Sequence, residues 1–208
     1  MTKNTLAEEK FFQKRSKCGE TMFELVKIRD TVRVPPERFD EPKQEVILDI
    51  LRENYEGLTD NDLGVILSIT EVEDIGTGRV VMGEAASFHN VVFSALTYRP
   101  ILHEITPGEV VEIVDFGAFV RLGAMDGLAH VSQITDDYIN FDSKKSALVG
   151  KETNRKLKEG DKVRARVVSI SMAKGERGKI GLTMRQPGLG KFEWIEEERK
   201  EGEAEESG

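Results

Sequence analysis

Residues Val114–Leu122 read VDFGAFVRL, and a few positions later Gly127–Ser132 read GLAHVS. In a strand, successive side chains point to opposite faces, so Val110, Glu112 and Val114 are expected on one side and Val111 and Ile113 on the other. Gly117 is expected at a bulge or tight bend that lets Phe116 and Phe119 project to the same side. Arg121, two residues beyond Phe119, then falls on that side too. Two rings and a guanidinium on one face make a stacking platform with charge at its rim. Each base stacked on such a ring contributes roughly 1–3 kcal/mol, whatever its identity. His130, at the end of the next strand, adds a third flat surface or a hydrogen bond to a sugar. Taken alone, Phe116 and Phe119 are equally well read as core aromatics. Gly117 between them, His130 after Gly-Leu-Ala, and Gly160-Asp161-Lys162-Val163 later in the chain shift the reading toward the platform.

Outward from this stretch, short strands recur between glycines with no long helix: 108–122, 127–131, 162–170 and 179–184. Such spacing predicts a small barrel. The segment between its halves, 136–156, is polar and is expected to carry a short helix or loop. Beyond Pro187 the Gly- and Glu-rich stretch is expected to be a solvated, disordered tail with helical character around 192–200.

Before Pro100 the pattern differs. Residues 22–34 alternate as a strand that Pro35-Pro36 stops. A helix follows Glu41-Pro42, with Val46, Ile47, Ile50, Leu51 and Tyr55 on one face and Gly57 beyond its end. Residues 63–75 and 87–99 are β-rich, with Val65, Leu67, Ile69 and Glu71 expected on one side of the first. The reading is a small α+β unit. Residues 1–21 are charged and aperiodic, and are expected to be a flexible extension, with a short helix carrying Leu6, Phe11 and Phe12 as the alternative.

The net charge of −8 argues against a nucleic-acid partner until its distribution is considered. From Glu193 onward eight acidic residues stand against two basic ones, a net −6, whereas residues 151–187 hold eleven basic residues against four acidic ones. A local basic surface is what phosphate contacts need. No run of eighteen apolar residues is present and the start of the chain lacks a signal-peptide pattern, so a cytoplasmic location without membrane contact is expected. The lone Cys18 offers neither a disulfide nor a CxxC metal site, so no cofactor or metal is expected. Glu41, Glu45, Asp49 and Glu53 mark a solvated or partner-facing helix edge, and His89 and His103 have no third ligand nearby. Nothing in the chain looks catalytic.

Four separated motifs, VDFGAFVRL, GLAHVSQI, LKEGDKVRARVVSI and IGLTMR, resemble in order the strands of an S1-type RNA-binding domain, an OB-fold barrel. That resemblance implies RNA contact by Phe116, Phe119 and His130 and by the basic Lys179 before the last strand. Arg121, and Arg164 and Arg166 in the basic segment, complete the expected set. Ser171 stands where the family often has an acidic residue, and that contact is absent. Further back, the strand ending VRVPP, the helix EVILDILRENYEG, DLGVILSI and the junction FHNVVFSALTYRP are similar to one family of RNA polymerase stalk subunits. Its archaeal members are called E-prime, and its eukaryotic counterpart is the seventh subunit of polymerase II. The implied fold is α+β: a truncated-RNP-like α+β domain (22–103), then an all-β S1-type OB-fold barrel (104–187), with the extension 1–21 and the acidic tail 188–208 outside the match. Gly83-Glu84-Ala85 also departs from the family's more glycine-rich turn. The family implies a non-catalytic subunit of DNA-directed RNA polymerase. It would form a stalk heterodimer with the second stalk protein, called F, and dock on the polymerase core. There it would hold nascent single-stranded RNA near its exit, support DNA melting and elongation, and contact transcription factor E. The competing reading is an S1-domain protein of translation initiation or RNA processing.

Overall fold

The computed structural model describes residues 11–14, 21–142, 146–153, 155–172 and 178–206, with side chains described at 21–142, 146–153, 155–172 and 178–200. Leu6 and Cys18 lie outside the described residues. The chain divides into two compact units after Arg99.

The first unit runs β1 (Phe11–Lys14), β2 (Phe23–Val34), a 3-10 turn at Pro36–Arg38, α1 (Lys43–Tyr55), β3 (Thr59–Asp60), β4 (Gly64–Ile75), β5 (Arg79–Val80) and β6 (Ser87–Tyr98). The strands form one sheet in the order β1-β2-β6-β4-β3, with β5 on β6. Part of the expected extension is therefore a strand: Phe11–Lys14 pairs antiparallel with residues 26–29 of β2. Helix α1 buries Val46, Ile47, Leu51 and Tyr55 against Val26, Ile28 and Val32 of β2 and Val91, Phe93 and Ala95 of β6. Gly57 follows with φ of 81° and donates its amide to Ile66 O at 2.8 Å, which turns the chain from helix to sheet.

Strand β4 corrects the expected alternation. Its inward residues are Ile66, Ile69 and Val72, every third rather than every second position. Three register shifts against β6, at 66/68, 69/71 and 72/74, each place an extra residue in β4. Each bulge flips the face that follows it. The Glu56 carboxylate accepts from the Ile69 amide at 3.0 Å, within the bulged stretch.

The second unit holds β7 (Ile105–Val114), β8 (Gly117–Arg121), β9 (Asp126–His130), a 3-10 turn at Val131–Gln133, β10 (Ile139–Asp142), β11 (Ala147–Gly150), β12 (Lys156–Lys158), β13 (Lys162–Ser171), β14 (Lys179–Thr183), β15 (Gly190–Lys191) and α2 (Phe192–Glu206). Its main sheet runs β14-β9-β8-β7-β13-β15, and a further pairing of β14 with β13 closes the barrel. The interior is filled by Val110, Ile113, Ala118, Val120, Ala129, Val163, Ala165, Val167, Ile180 and Leu182, all buried. Val110 and Ile113 both point inward, contrary to the expected alternation. A register shift between Val110 and Glu112 places a bulge at Val111, which exchanges the faces beyond it.

The segment 136–156 is neither helix nor plain loop. Strands β10, β11 and β12 make a three-stranded antiparallel sheet. Leu148 and Leu157 are its buried anchors, two apolar residues that the polar composition of the segment hides. Asp137 holds it at one end: its carboxylate accepts from the amides of Glu152 and Thr153 and from the Thr153 hydroxyl, all within 3.2 Å. The Thr153 amide is the main cause of a carboxyl pKa lowered below its ordinary value.

The segment beyond Pro187 also departs from expectation, because its first part is packed. Gly190 and Lys191 pair with Arg164 and Val163 of β13. Lys191 Nζ reaches Asp161 at 3.1 Å and Glu193 at 2.7 Å. Trp194 is 7% exposed, with Arg155 lying 5.6 Å above its ring and pairing Glu198 at 2.9 Å. The glutamate count draws attention to solvation, whereas Trp194 decides the packing. Truncation of a buried Trp or Phe to alanine costs about 3–5 kcal/mol in a typical core. Trp194→Ala should therefore lower the thermal midpoint of the second unit by several degrees in calorimetry.

Candidate nucleic-acid interface

Three adjacent strands, β8, β9 and β14, build one outward face. Registers place Gly117 opposite His130, Phe119 opposite Leu128 and Arg121 opposite Asp126. The parallel β9–β14 pairing sets Leu128 beside Gly181 and Gly127 beside Ile180. Because Gly127, Ala129, Ile180 and Leu182 point inward, Asp126, Leu128, His130, Lys179 and Gly181 point outward. The face thus has three rows: Gly117 with His130, then Phe119–Leu128–Gly181, then Arg121–Asp126 with Lys179 beyond.

Phe116 occupies the two-residue turn Asp115–Phe116 between β7 and β8 and is 47% exposed. Phe119, half-buried on β8, meets it edge-on, with ring centroids 6.4 Å apart and planes at 84°. A core role for Phe116 is excluded by its exposure. The two rings do lie together, but not through a bulge at Gly117, which sits in regular strand register. A Cβ there would lie 2.4 Å from Ala129 O, so Gly117 allows β8 and β9 to approach where His130 stands. The perpendicular arrangement matches the quadrupoles of two aromatic rings.

His130 caps the 3-10 turn that follows it. Its Nδ1 accepts from the Ser132 amide at 3.3 Å and lies 2.9 Å from Ser132 Oγ. In the neutral ring the proton is then carried by Nε2, the atom turned away from that turn. Arg121 Nε donates to Asp126 Oδ1 at 3.1 Å. That bond is the main cause of the raised guanidinium pKa. Both groups are exposed, so the pair adds little stability and acts by orienting the guanidinium.

Lys179 opens β14 beside Asp126, on the same face as Arg121. Arg164 and Arg166 are not on it. Both sit on β13, where Arg166 pairs with Thr183 at one end of β14 while Lys179 pairs with Ser171 at the other. The two ends of β14 are about 13 Å apart at ~3.3 Å per residue. Arg164 lies 5.2 Å over the Phe192 ring and donates to Gly188 O at 3.5 Å, and Arg166 donates to Gln186. Arg164 is engaged by the C-terminal segment, and Arg166 by Gln186 just ahead of it. Leu128, half-buried in the row between Phe119 and Gly181, completes the apolar floor; the alternation of GLAH around buried Gly127 and Ala129 is the signal that reveals it.

Elsewhere, His89 is a buried structural histidine, with Nδ1 3.1 Å from Gly76 O and Nε2 3.1 Å from Ser87 Oγ. Among the described residues no helix is long and apolar enough to cross a membrane.

With this geometry in view, two family models match the chain. Residues 29–85 match the SHS2 domain found in the N terminus of Rpb7p/Rpc25p/MJ0397, and residues 99–181 match the S1 RNA binding domain. The chain is 42% identical over 177 residues to DNA-directed RNA polymerase subunit Rpo7 of Sulfolobus acidocaldarius, covering 85% of this chain and 97% of that one. It is 43% identical over 180 residues to subunit Rpo7 of Saccharolobus solfataricus, covering 86% and 100%. A polyribonucleotide nucleotidyltransferase of Rhodopseudomonas palustris is 33% identical over 137 residues, but these make up only 17% of that enzyme.

The close approach at Gly117 gives a direct test. Gly117→Ala forces β8 and β9 apart at His130, and overpacking of this kind costs about 1–3 kcal/mol. The variant should unfold at lower denaturant than the parent, and the amides of β9 should exchange faster with deuterium.

Proposed function

Because the chain belongs to the Rpo7 family of DNA-directed RNA polymerase subunits, with an N-terminal SHS2 domain and a C-terminal S1 barrel, we propose that it is a non-catalytic stalk subunit that holds nascent single-stranded RNA on the β8–β9–β14 face. The observation that carries this reading is the union of Phe116, Phe119 and His130 with Arg121 and Lys179 on three neighbouring strands. Rings bind any base by stacking, and two cations at the rim meet the backbone phosphates. Such a foothold adds binding energy to a transcript without reading its sequence, which suits an RNA whose sequence changes as it emerges.

The first unit supplies surfaces for assembly. Val80, Val81 and Met82 project from the β5 end of the sheet, with Met82 fully exposed. Beside them is a cleft of about 390 Å³ lined in part by Phe39, Lys43 and Val80. This apolar tip suits docking on the polymerase core. Phe23 and Leu25, exposed on the sheet face opposite α1, suit the second stalk protein, F. In that setting the chain supports DNA melting at initiation, RNA retention during elongation and contact with transcription factor E. Arg164 and Arg166, held by the C-terminal segment and by Gln186, leave the main RNA grip to the aromatic face.

Two outcomes are expected. Combined Phe116→Ala, Phe119→Ala and His130→Ala substitution should weaken single-stranded RNA binding by roughly a hundredfold, equivalent to two stacked bases at about 1.4 kcal/mol each. Unchanged affinity in a fluorescence titration would place the RNA on another face. Replacement of Val80, Val81 and Met82 by serine should abolish co-purification with the polymerase core while RNA affinity stays at the parent value. Recovery of ribosomal subunits in place of polymerase would overturn the assignment.

A further inference from the structure

The small sheet β10–β11–β12 pairs Phe141, Leu148 and Leu157 in one row of one face. Leu148 and Leu157 occupy the buried face. Registers put Asn140, Val149 and Lys156 in one row of the other face, and Asp142 and Lys158 in the next, on either side of Ala147, which is buried. The pairing continues past β10, because the Lys151 amide donates to Tyr138 O at 2.9 Å, and this adds a row of Tyr138 and Lys151. Tyr138 is 77% exposed, and the Lys151 ammonium lies 5.9 Å from its ring centroid. Lys151, Lys156 and Lys158 are all exposed. Among the described residues of the three strands, Asp142 is the carboxylate on this face. One open ring and three ammonium groups thus stand on a sheet whose end is held by the Asp137 carboxylate.

We propose that this face is a second contact surface for single-stranded RNA, which extends the footprint of the aromatic face beyond the barrel. The inference rests on the reading of the β8–β9–β14 face given above. Chain order supports continuity: His130 ends β9, the 3-10 turn Val131–Gln133 follows, and the chain then runs directly into Tyr138. The chemistry favours RNA over a protein partner. Stable protein interfaces are poor in lysine and centre on an apolar cluster, which this face lacks. A tyrosine ring with a cation over one face offers its other face for base stacking, and the lysines supply phosphate contacts that need no fixed sequence. Lys151 over the ring also limits the ring's motion before any base arrives.

The test uses the full chain and fluorescein-labelled oligouridylates of about 5 and about 20 nucleotides, either side of the roughly 4–16 nucleotides one OB fold spans. Tyr138→Ala should weaken binding of the long RNA roughly tenfold and leave the short RNA unchanged, while Tyr138→Phe should restore the parent affinity. Lys151→Gln with Lys156→Gln should reduce the salt dependence of long-RNA binding by about 0.7 in log–log slope for each phosphate no longer neutralised. Equal long-RNA affinity and equal salt slope in parent and variants would overturn the proposal and leave this face to another partner. Failure of the short RNA to bind the parent chain would sink the aromatic-face reading instead, and the ratio of parent to variant on long RNA would still decide the present one.

Discussion

Strand β13 has three neighbours to satisfy, β7, β14 and β15, and the second unit is organised by that demand. Its first half, Lys162–Arg166, pairs with β7, while Arg166–Ser171 pairs with β14 across a register shift at 167/169. The shift lets one strand turn from one partner to the next and so closes the barrel. Closure brings β14 against β9 in parallel, which sets Lys179 beside Asp126 and Gly181 beside Leu128. It also leaves the outer side of the first half of β13, with Arg164, for β15 and the start of α2 to cover. The aromatic face and the C-terminal cover are therefore two results of the same geometric requirement.

The charge distribution follows the same division. The acidic end of the chain is not wholly separate from the basic segment: Glu198 meets Arg155, and Lys191, between the two, joins Asp161 to Glu193. A net charge of −8 is thus compatible with a local cationic surface, because part of the negative charge neutralises cations on the far side of the barrel. Among the described residues of the second unit, Lys179 and the lysines of the β10–β12 sheet stand exposed, and Arg121 stands exposed beside its partner Asp126. The Lys191–Asp161 pair is largely shielded from solvent, whereas Glu193 and Glu198 meet their cations from the exposed side.

Much of the fold and its aromatic face is legible in the sequence because the deciding residues are local. Helix α1 announces itself through Val46, Ile47, Leu51 and Tyr55, and VDFGAFVRL through two rings either side of a glycine. The departures share a physical cause. Alternation assumes an unbroken pleat, and the bulges at Val111 and along β4 break it without a recognisable residue type at the bulge. Composition averages a segment, so Leu148 and Leu157 disappear among polar neighbours and Trp194 among glutamates. Arg164 and Arg166 fall into one group with Lys179 because all three lie in one basic stretch, yet β13 and β14 carry them to opposite ends of the barrel wall. Linear proximity of charge says little about which face it occupies.

The angle between Phe116 and Phe119 has a consequence for the conformation of whatever lies on them. Consecutive bases in an A-form helix are nearly parallel, so two rings at 84° cannot both lie flat against neighbouring bases of a continuous stack. A polynucleotide that uses both rings must turn sharply between two nucleotides, with its stacking interrupted at that step. Hairpin stems and pre-stacked purine tracts are penalised by this requirement, whereas a pliable pyrimidine run meets it at little cost. On the proposed RNA-binding reading, the geometry of one hairpin turn would act as a filter for chain flexibility, independent of any contact to a base edge.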